Sequence, residues 1–546
     1  MISPPSSADY IIVGGGTAGL VVANRLSEDP NIHILVLESG PDCTTDPRVQ
    51  DPNAWPTLQG SDLDWQLKTV PQPGFNHREQ NFPSGKVLGG SAAINGLAYL
   101  PPSPAGIDAW TQLGNSEWTW DSLLPYVHKS YTVSAPDAET CKAMNVNLQT
   151  TGSGPIQVSY PVLATKTNHA LLQAWSDTFQ DQGYECASDL LSEKKTIGSR
   201  HYSAVIDPNS GLRSSADGEY GIPAAKRPNV EIVTGAHVRR IVFSSLSSTL
   251  PVATGVEVCI GGQIRIVDAT KEVILAAGAL HTPKLLELSG VGNKEVLDRL
   301  GIPQVIDSPG VGENLQNHVL NVLPVPLSDI PEATNAVPGI QATAFVRLDA
   351  QEQAEFLAHI APSGHDHDRV IRSMIEQPDE PSALVLFMVA PGNLGVLVVI
   401  PCFPLSRGST HINTTDPDSQ PTIDPQFFSQ ELDLEVMARQ VQRARELPSA
   451  PAMRRFFQTP DLETMDLSAI KESLRSSAQT AHHYCGTAIM LPREKGGVVD
   501  QNLRVYGTPN VRVVDASVFP LIPPANPLAT VYAVAERAAQ VIANKE

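Results

Sequence analysis

Two adjacent histidines near the end of the chain are the side chains best suited to acid–base chemistry. His482 and His483 lie in the stretch 481–490, where the small pair Gly486-Thr487 follows them. An imidazole has an unperturbed pKa near neutral, so it can take a proton from a hydroxyl group at physiological pH. A buried histidine that the backbone satisfies is the alternative interpretation. Catalysis here requires other elements that bring a reaction partner to these rings.

A glycine-rich turn near the amino terminus predicts the element that holds such a partner. A short apolar strand leads into the turn, a helix opens at Thr17, and a second strand, at 32–37, ends at Glu38. The glycines permit a tight turn, close approach of a pyrophosphate and packing of helix on strand. Free amides and the helix dipole then face the phosphates, and the acid can accept hydrogen bonds from ribose hydroxyls. This order of elements predicts a dinucleotide site, but it does not distinguish NAD from FAD as the ligand. The three glycines are Gly14, Gly16 and Gly19.

Length, composition and charge narrow the class of protein. At 546 residues the chain is too long for one hydrophobic core, so we expect two or more lobes. Its 41% hydrophobic and 18% charged residues are ordinary for a globular protein, and no segment has the pattern of a transmembrane span. The formal net charge of −20 argues against nucleic acid or anionic membranes as partners. No feature of the sequence indicates an oligomeric state.

Neither the cysteines nor the histidine-rich stretch at 364–368 predicts a metal site. The six cysteines are scattered, without the paired spacing of metal ligands or a dense disulfide framework. The stretch 364–368 alternates histidine with aspartate inside a polar region, and we interpret it as a solvated loop. We therefore predict no bound metal.

The start of the chain favours an intracellular, cytoplasmic location. The first strand begins by Tyr10, which leaves no room for a secretory signal before it. Asn413 begins the one glycosylation sequon that we find. A mature secreted chain with an added start methionine stays open as the alternative.

A second glycine-rich segment, at 82–96, points to a known family. Gly89 and Gly90 precede small residues and Asn95, so the main chain can lie against something flat or charged. The segment resembles the first signature of the glucose–methanol–choline (GMC) oxidoreductases, flavoproteins that oxidise alcohols with FAD. Further segments resemble the same family in family order: 108–126, 272–292, 309–318, 481–490 and 498–520.

The resemblance implies a set of residues around FAD. Some members of the family carry a histidine that bonds covalently to the flavin where this chain has Ile94, so we predict FAD that is bound non-covalently. At Asn317 the family usually has aspartate, which changes the local hydrogen bonding that we expect. The residues placed near FAD by the resemblance and by the first turn are Gly14, Gly16, Thr17, Ala18, Gly19, Glu38, Val87, Gly89, Gly90, Ser91, Asn95, Gly96, Val238, Ala277, Gly278, Asp515, Ala516, Asn526, Pro527 and Thr530.

The resemblance also implies a reaction. His483 takes the place of the family's catalytic histidine, two residues before the glycine-threonine pair, and Asn526 takes the place of its partner. We expect oxidation of a primary or secondary alcohol to the aldehyde or ketone: His483 removes the hydroxyl proton, and flavin N5 accepts the hydride. Dioxygen or another acceptor then reoxidises the flavin. Asn526 can donate to the alcohol oxygen or cap the last helix. On an extended segment, the side chain of His482 should point away from that of His483.

The expected fold is a Rossmann-like FAD-binding domain with a second, substrate-binding domain built on an antiparallel sheet covered by helices. We assign 1–155, 205–318 and 478–546 to the first domain, and 156–204 and 319–477 to the second. Strands at 342–348, 383–389 and 397–403 predict the second sheet. We also predict a hairpin at 252–259 and 264–267, a helix at 171–179, a helix that begins at Pro283, and a last helix at 527–542.

Three other functions stay open at this point. Some members of the family use FAD without net redox chemistry, as cyanohydrin lyases or photodecarboxylases. A protein that only binds flavin or another nucleotide is the second alternative. An NAD-dependent dehydrogenase is disfavoured because the motifs that follow Gly89 are not expected in that class of enzyme. For an alcohol oxidase or dehydrogenase, the unusual pocket segments favour a specialised, secondary-metabolic alcohol over an abundant sugar.

Overall fold

The largest sheet of the protein is built around its first apolar strand. The strand Ser7–Val13 is buried from Tyr10 onward, as expected for a strand covered on both faces. It pairs in parallel with Ile34–Leu37 on one side and with Gln263–Leu275 on the other. The helix Thr17–Leu26 follows the turn, so the predicted strand, turn, helix and strand are confirmed. The computed structural model describes residues 5–187, 196–244, 250–360 and 366–544.

Seven strands form this large sheet, and its two parts differ in direction. Val230–Val233 extends the parallel part beyond Ile34–Leu37, and Val511–Val513 adds to it beside Gln263–Leu275. The long strand Gln263–Leu275 also pairs in antiparallel fashion with Ala253–Ile260. The predicted hairpin is confirmed, but its second strand is longer than expected because it continues into the run that enters the parallel part. The last strand of the antiparallel part is Ala236–Phe243.

The last helix joins the two ends of the chain. Leu528–Ala543 packs against both Thr17–Leu26 and Trp120–Ser130. Its fully buried Glu536 accepts hydrogen bonds from Arg25 Nε at 2.8 Å and from the Tyr220 hydroxyl at 2.9 Å. This contact fixes the last helix beside the helix of the glycine turn. The residues that precede the last helix are therefore held near that turn.

A second, six-stranded sheet is entirely antiparallel. Helices pack against it, among them His169–Asp181, Glu431–Ala444 and Leu467–Ser477. The predicted antiparallel sheet with helices is thus confirmed, with strand bounds shifted by a few residues. The domain boundaries remain predictions; Gln479–Thr480, inside a range that we assign to the first domain, pairs with this second sheet. The order across the sheet is Gln479–Thr480, Val319–Pro326, Leu394–Pro401, Ala383–Ala390, Gly339–Val346 and Gly198–His201.

The helix expected to begin at Pro283 begins earlier. It spans Gly278–Leu288, so Pro283 lies inside it. A proline inside a helix has no N–H for the carbonyl four residues before it. That carbonyl belongs to Ala279, and it accepts a hydrogen bond from the Thr487 hydroxyl at 2.5 Å. A partner 208 residues away therefore compensates for the proline.

Shorter elements connect and flank the two sheets. None of the helices within the described ranges is long and apolar enough to cross a membrane. The remaining helices are Pro47–Gln50, Trp55–Leu58, Ser91–Ile94, Pro104–Gln112, Ala138–Ala143, Ile222–Ala225, Lys294–Leu300, Pro331–Thr334, Ala350–His359 and Asp366–Glu376. The remaining paired strands are Leu67–Lys68 with Asn81–Phe82; Tyr131–Val133 with Thr151–Gly152 and Ile156–Val158; Val291–Gly292 with Ile306–Asp307; and Ser409–His411 with Thr422–Asp424.

Candidate active site

One cavity of about 580 Å³ is lined by residues of both sheets. One part of the lining consists of residues from the glycine turn, from 90–92 and 94–96, and from the start of the helix Gly278–Leu288, and we call it the glycine end. Another part is one face of the second sheet. The segment 479–484 and Asn526 also line the cavity. The site therefore brings together residues from the two ends of the chain.

Backbone lies against backbone at the glycine end. Gly14 has φ +105°, and a Cβ added to it would lie 2.4 Å from the Ala276 carbonyl oxygen. A Cβ on Gly90, which has φ +56°, would lie 2.8 Å from Gly16 Cα. Only glycine fits these contacts, and the surface that results has no side chains between a ligand and the main chain. Such a surface fits the diphosphate of a dinucleotide.

Two buried carboxyl groups line the same end. Glu38 accepts hydrogen bonds from the Gly15 amide at 2.8 Å and from the Gly40 amide at 2.7 Å. Burial raises the pKa of Glu38 to about 7, although these amides oppose the shift. Asp515 accepts from the Gly278 amide at 2.9 Å and from the Thr282 hydroxyl at 2.6 Å. Burial likewise raises the pKa of Asp515. Each carboxyl group thus fixes a turn of the cavity wall.

Most of the residues predicted to contact a cofactor line this cavity. Four lie behind the lining. Gly19 allows the first helix to pack on the turn, since a Cβ there would lie 2.0 Å from the Gly14 carbonyl oxygen. Gly89 faces Asp217, while Val87 and Thr530 are fully buried. The residues on the lining are Gly14, Gly16, Thr17, Ala18, Glu38, Gly90, Ser91, Asn95, Gly96, Val238, Ala277, Gly278, Asp515, Ala516, Asn526 and Pro527.

His483 lines the cavity and is held from two sides. Its backbone amide donates to Asn317 Oδ1 at 2.8 Å, and Asn317 Nδ2 donates to the Thr480 hydroxyl at 2.7 Å. The asparagine side chain can accept one of these hydrogen bonds and donate the other. An ionised aspartate, which the family usually has at this position, could only accept. On the side chain, His483 Nδ1 lies 2.9 Å from His318 Nδ1.

The contacts of His318 assign the proton positions on both rings. His318 Nε2 lies 3.0 Å from the Cys402 carbonyl oxygen, which can only accept. In a neutral ring the proton of His318 is therefore on Nε2, and its Nδ1 accepts. The proton between the two rings then belongs to His483 Nδ1. This leaves the lone pair of His483 on Nε2, the nitrogen for which the described residues provide no hydrogen-bond partner.

Burial keeps these imidazoles neutral. It lowers the pKa of His318 to about 4, against a raising contribution from the Cys402 carbonyl. The pKa of His483 is held well below its usual value, first by burial and then by the neighbouring rings of His318 and His482. At neutral pH His483 is therefore an unprotonated base.

The expectation for His482 is wrong. Its φ is +63°, so the segment is not extended at this point, and His482 and His483 both line the cavity. The Tyr484 hydroxyl lies 3.1 Å from His482 Nδ1, and the Tyr484 ring stacks on Phe82 with centroids 4.3 Å apart. Burial lowers the pKa of His482 to about 4.

Asn526 reaches the cavity just before the last helix. That helix begins at Leu528, one residue later than expected, with Pro527 in the cap position. Asn526 Oδ1 accepts from the Leu528 amide at 3.3 Å, so the predicted role at the helix start is compatible with the geometry. Among the described residues none accepts a hydrogen bond from the amide nitrogen of Asn526, so this nitrogen can donate to a ligand. The amino-terminal end of a 16-residue helix also faces the cavity and contributes positive potential there.

Comparison with known proteins identifies the arrangement. Two family models described as GMC oxidoreductase match residues 8–320 and 404–535. The chain belongs to the GMC oxidoreductase family. A dehydrogenase from Armillaria gallica is 36% identical over 98% of this chain and 93% of its own length. A solved FAD-dependent oxidoreductase from Chaetomium thermophilum aligns with TM-score 0.89 at 28% identity over 99% of both chains. A fungal aryl-alcohol oxidase aligns with TM-score 0.86 at 29% identity over 99% of this chain and 100% of that one.

As a GMC oxidoreductase, the protein is an enzyme whose cofactor is FAD. The side-chain-free surface around Gly14, Gly16 and Gly90 fits the diphosphate, and Glu38 stands where it can meet an adenosine ribose. Ile94 lines the cavity with a hydrocarbon side chain, which has no atom for a covalent bond to flavin. A covalent bond to flavin at this position is therefore ruled out, in agreement with the predicted non-covalent FAD.

Sequence reasoning missed three features of the site. His318 lies in the segment 309–318, which the sequence marks only as a motif, and Cys402 has no sequence signal because its backbone carbonyl makes the contact. Trp55 and Trp65 also line the cavity, although no motif in the sequence marks them. At 364–368, residues 364 and 365 lie outside the described ranges. The expected loop is wrong for the rest of the stretch, because residues 366–368 begin the helix Asp366–Glu376. Asp366 forms ion pairs with Arg369 and Lys495. Within the described ranges no cluster of three or more His, Cys, Asp or Glu side chains is placed to hold a metal ion.

Replacing Gly14 with alanine is expected to weaken FAD binding at least about tenfold, since a strained left-handed residue costs on the order of 1–3 kcal/mol before any overlap. The added methyl group would overlap the Ala276 carbonyl. The measurement is titration of the apoprotein with FAD, followed by flavin fluorescence. Gly211→Ala is the control, because Gly211 has φ +72° but open space around it. Equal FAD affinity in the Gly14 variant and the wild type would contradict the proposed contact.

Proposed function

We propose that the protein oxidises a primary or secondary alcohol to the corresponding aldehyde or ketone. The observation that supports this most strongly is the assigned lone pair on His483 Nε2, on a neutral imidazole in the wall of the cavity. A general base needs this protonation state before the substrate arrives. The likeness to a fungal aryl-alcohol oxidase over the full chain supports the same reaction.

In this mechanism His483 Nε2 takes the hydroxyl proton of the alcohol. The Asn526 amide donates to the alcohol oxygen and holds it in reach of the base. The amino-terminal end of the last helix stabilises the negative charge that develops on that oxygen. Bound FAD would supply the acceptor for the hydride that leaves the carbinol carbon, and dioxygen or another acceptor would reoxidise it.

The experiment that tests this function is anaerobic mixing of the yellow holoenzyme with a panel of alcohols. We expect the visible flavin band to bleach, with one carbonyl product formed per flavin reduced. Turnover without bleaching, or only under light, would support the non-redox chemistry known in this family. A panel that neither bleaches the flavin nor turns over would point to a binding protein.

The rate of flavin reduction is expected to stay constant from about pH 6.5, the ordinary histidine value, to higher pH and to fall only in more acidic solution. The pKa of His483 lies well below its usual value, so the base form persists where an exposed histidine would be protonated. Stopped-flow measurement of anaerobic bleaching between pH 4 and 9, on the order of one unit per step, locates the acidic limb. A limb at or above the ordinary value would contradict the assignment of this buried imidazole as the base.

A further inference from the structure

Aliphatic side chains of the second sheet form a continuous part of the cavity lining that is separate from the glycine end. They come from four neighbouring strands of that sheet. We call this surface the apolar wall. Its members are Leu320, Val322, Ile340, Leu384, Leu386, Met388, Val398 and Ile400.

The pairing register makes the apolar wall continuous. Leu384 is opposite Ile400, and Leu386 is opposite Val398. Val398 is in turn opposite Val322, and Met388 is opposite Ile340. Residues two apart on a strand point to the same face, so these pairs stack into rows on the cavity side of the sheet. The eight members are thus neighbours on one face of the sheet. The polar residues in the same rows lie at the row ends: Gln479 beside Leu320 lines the cavity, whereas Thr343 beside Leu386 and Arg200 beyond it are not among the lining residues.

The dimensions of the wall exceed those of a small alcohol. From Leu384 to Met388 it extends about 13 Å along the strand, and across four strands it extends about 14 Å. One corner adjoins the catalytic segment, because Leu320 pairs with Gln479, four residues before His483. Met388 and Ile340 form the far corner. A substrate whose hydroxyl group is at His483 can therefore lay a body of two or more rings on the wall.

The described charged residues that line the cavity belong to elements other than the second sheet. Among the described lining residues, no Asp, Glu, Lys or Arg comes from the second sheet. The charged lining residues are at the glycine end, where Glu38 and Asp515 hold backbone amides and Lys284 Nζ donates to the Pro417 and Ser419 carbonyls at 2.6 and 2.7 Å. A charged or many-hydroxylated body on the wall would lose its hydration without gaining partners.

We infer that the substrate is an uncharged alcohol with a large apolar body, about two rings or a ten-carbon chain in length, and is neither a sugar nor a charged alcohol. This inference rests on the proposed alcohol oxidation. The apolar wall is the reason that we expect the enzyme to select among alcohols and to prefer uncharged, apolar ones.

The first test compares three alcohols of matched chemistry on the holoenzyme. They are benzyl alcohol, 4′-methylbiphenyl-4-methanol and 4′-(hydroxymethyl)biphenyl-4-carboxylate. We expect kcat/KM for the neutral biphenyl to exceed that for benzyl alcohol at least about tenfold, since each buried methylene equivalent contributes about fourfold. We expect it to exceed that for the carboxylate by about a hundredfold or more. Equal values, or a preference for the carboxylate or for glucose, would overturn the inference.

A binding measurement separates this inference from the proposed reaction. The neutral and anionic biphenyls are titrated into the oxidised, FAD-bound His483→Ala variant, in which flavin reduction is expected to be slow, and the shift of the flavin spectrum reports binding. Tighter binding of the neutral compound supports the inference even if no alcohol reduces the flavin. Reduction by benzyl alcohol with no preference for the neutral biphenyl would retain the reaction and overturn the inference.

The variant test places a charge on the far corner of the wall. Met388→Lys conserves the size of the side chain, so it should fold, and it offers a partner to the distal carboxylate. We expect the preference for the neutral biphenyl to fall at least about tenfold, through both lower activity on it and higher activity on the carboxylate. Val337→Lys adds the same charge at an exposed residue outside the lining, and its preference should match the wild type. An unchanged preference in folded Met388→Lys would overturn the inference.

Discussion

Replacing His483 with alanine is expected to slow anaerobic flavin reduction by about 10²- to 10⁴-fold, the usual contribution of a positioned general base. The substitution removes the nitrogen that takes the hydroxyl proton, whereas the glycine end of the cavity remains intact. The protein should therefore stay yellow and bind FAD as the wild type does. Stopped-flow bleaching of the flavin by a substrate alcohol measures the loss, and the absorbance of the purified protein reports its FAD content.

The control for this variant is His33→Ala, which removes an exposed imidazole far along the chain from the site. Its rate should equal that of the wild type. Added imidazole should restore part of the rate in His483→Ala, because the substitution leaves a space of the right shape in the cavity wall. A folded, flavin-bound His483→Ala enzyme with the wild-type rate would show that another group takes the proton.

The cofactor end of the site could be predicted because its determinants are local in sequence. The turn at Gly14, Gly16 and Gly19 depends on close contacts with the strands and helix beside it. Only glycine permits such contacts, so the glycines in the sequence indicate where they occur. The antiparallel sheet was also predictable, since alternating apolar residues mark each strand. Strand bounds shifted by a few residues because pairing partners, and not composition, decide where a strand ends.

The catalytic end required contacts that no local pattern contains. His318 and His483 are 165 residues apart, and the partner of His318 is a backbone carbonyl a further 84 residues from it. The left-handed backbone at His482 interrupts the extended segment that the sequence predicts, although nothing in its residue type requires such a turn. The apolar wall emerges only when the register of four strands is known, because each strand by itself has an ordinary apolar pattern.

The largest effect outside His483 itself is expected at His318, which holds the catalytic imidazole in its active tautomer. His318→Leu removes the acceptor for His483 Nδ1–H and the donor to the Cys402 carbonyl. The proton of His483 is then free to move to Nε2, where it blocks proton abstraction. We expect flavin reduction to slow by about 10²-fold, in line with the cost of losing the group that orients a catalytic imidazole. FAD binding should not change.

His318→Gln separates this role from simple packing. A glutamine amide can donate to the Cys402 carbonyl and accept from His483 Nδ1–H, so it reproduces both contacts without a ring. We expect flavin reduction in the Gln variant to stay within about tenfold of the wild-type rate and to keep the acidic limb of the wild-type pH profile. We expect the Leu variant to lose both the rate and the limb. Thermal unfolding of the two variants shows whether stability differs between them. If His318→Leu and His318→Gln reduced the flavin equally fast, the tautomer of His483 would have to be set by another contact. The side-chain hydrogen bonds of His318 among the described residues go to His483 and Cys402, and not to the glycine end. A slower flavin reduction in the Leu variant with unchanged FAD binding would therefore show that the substitution acts on the base.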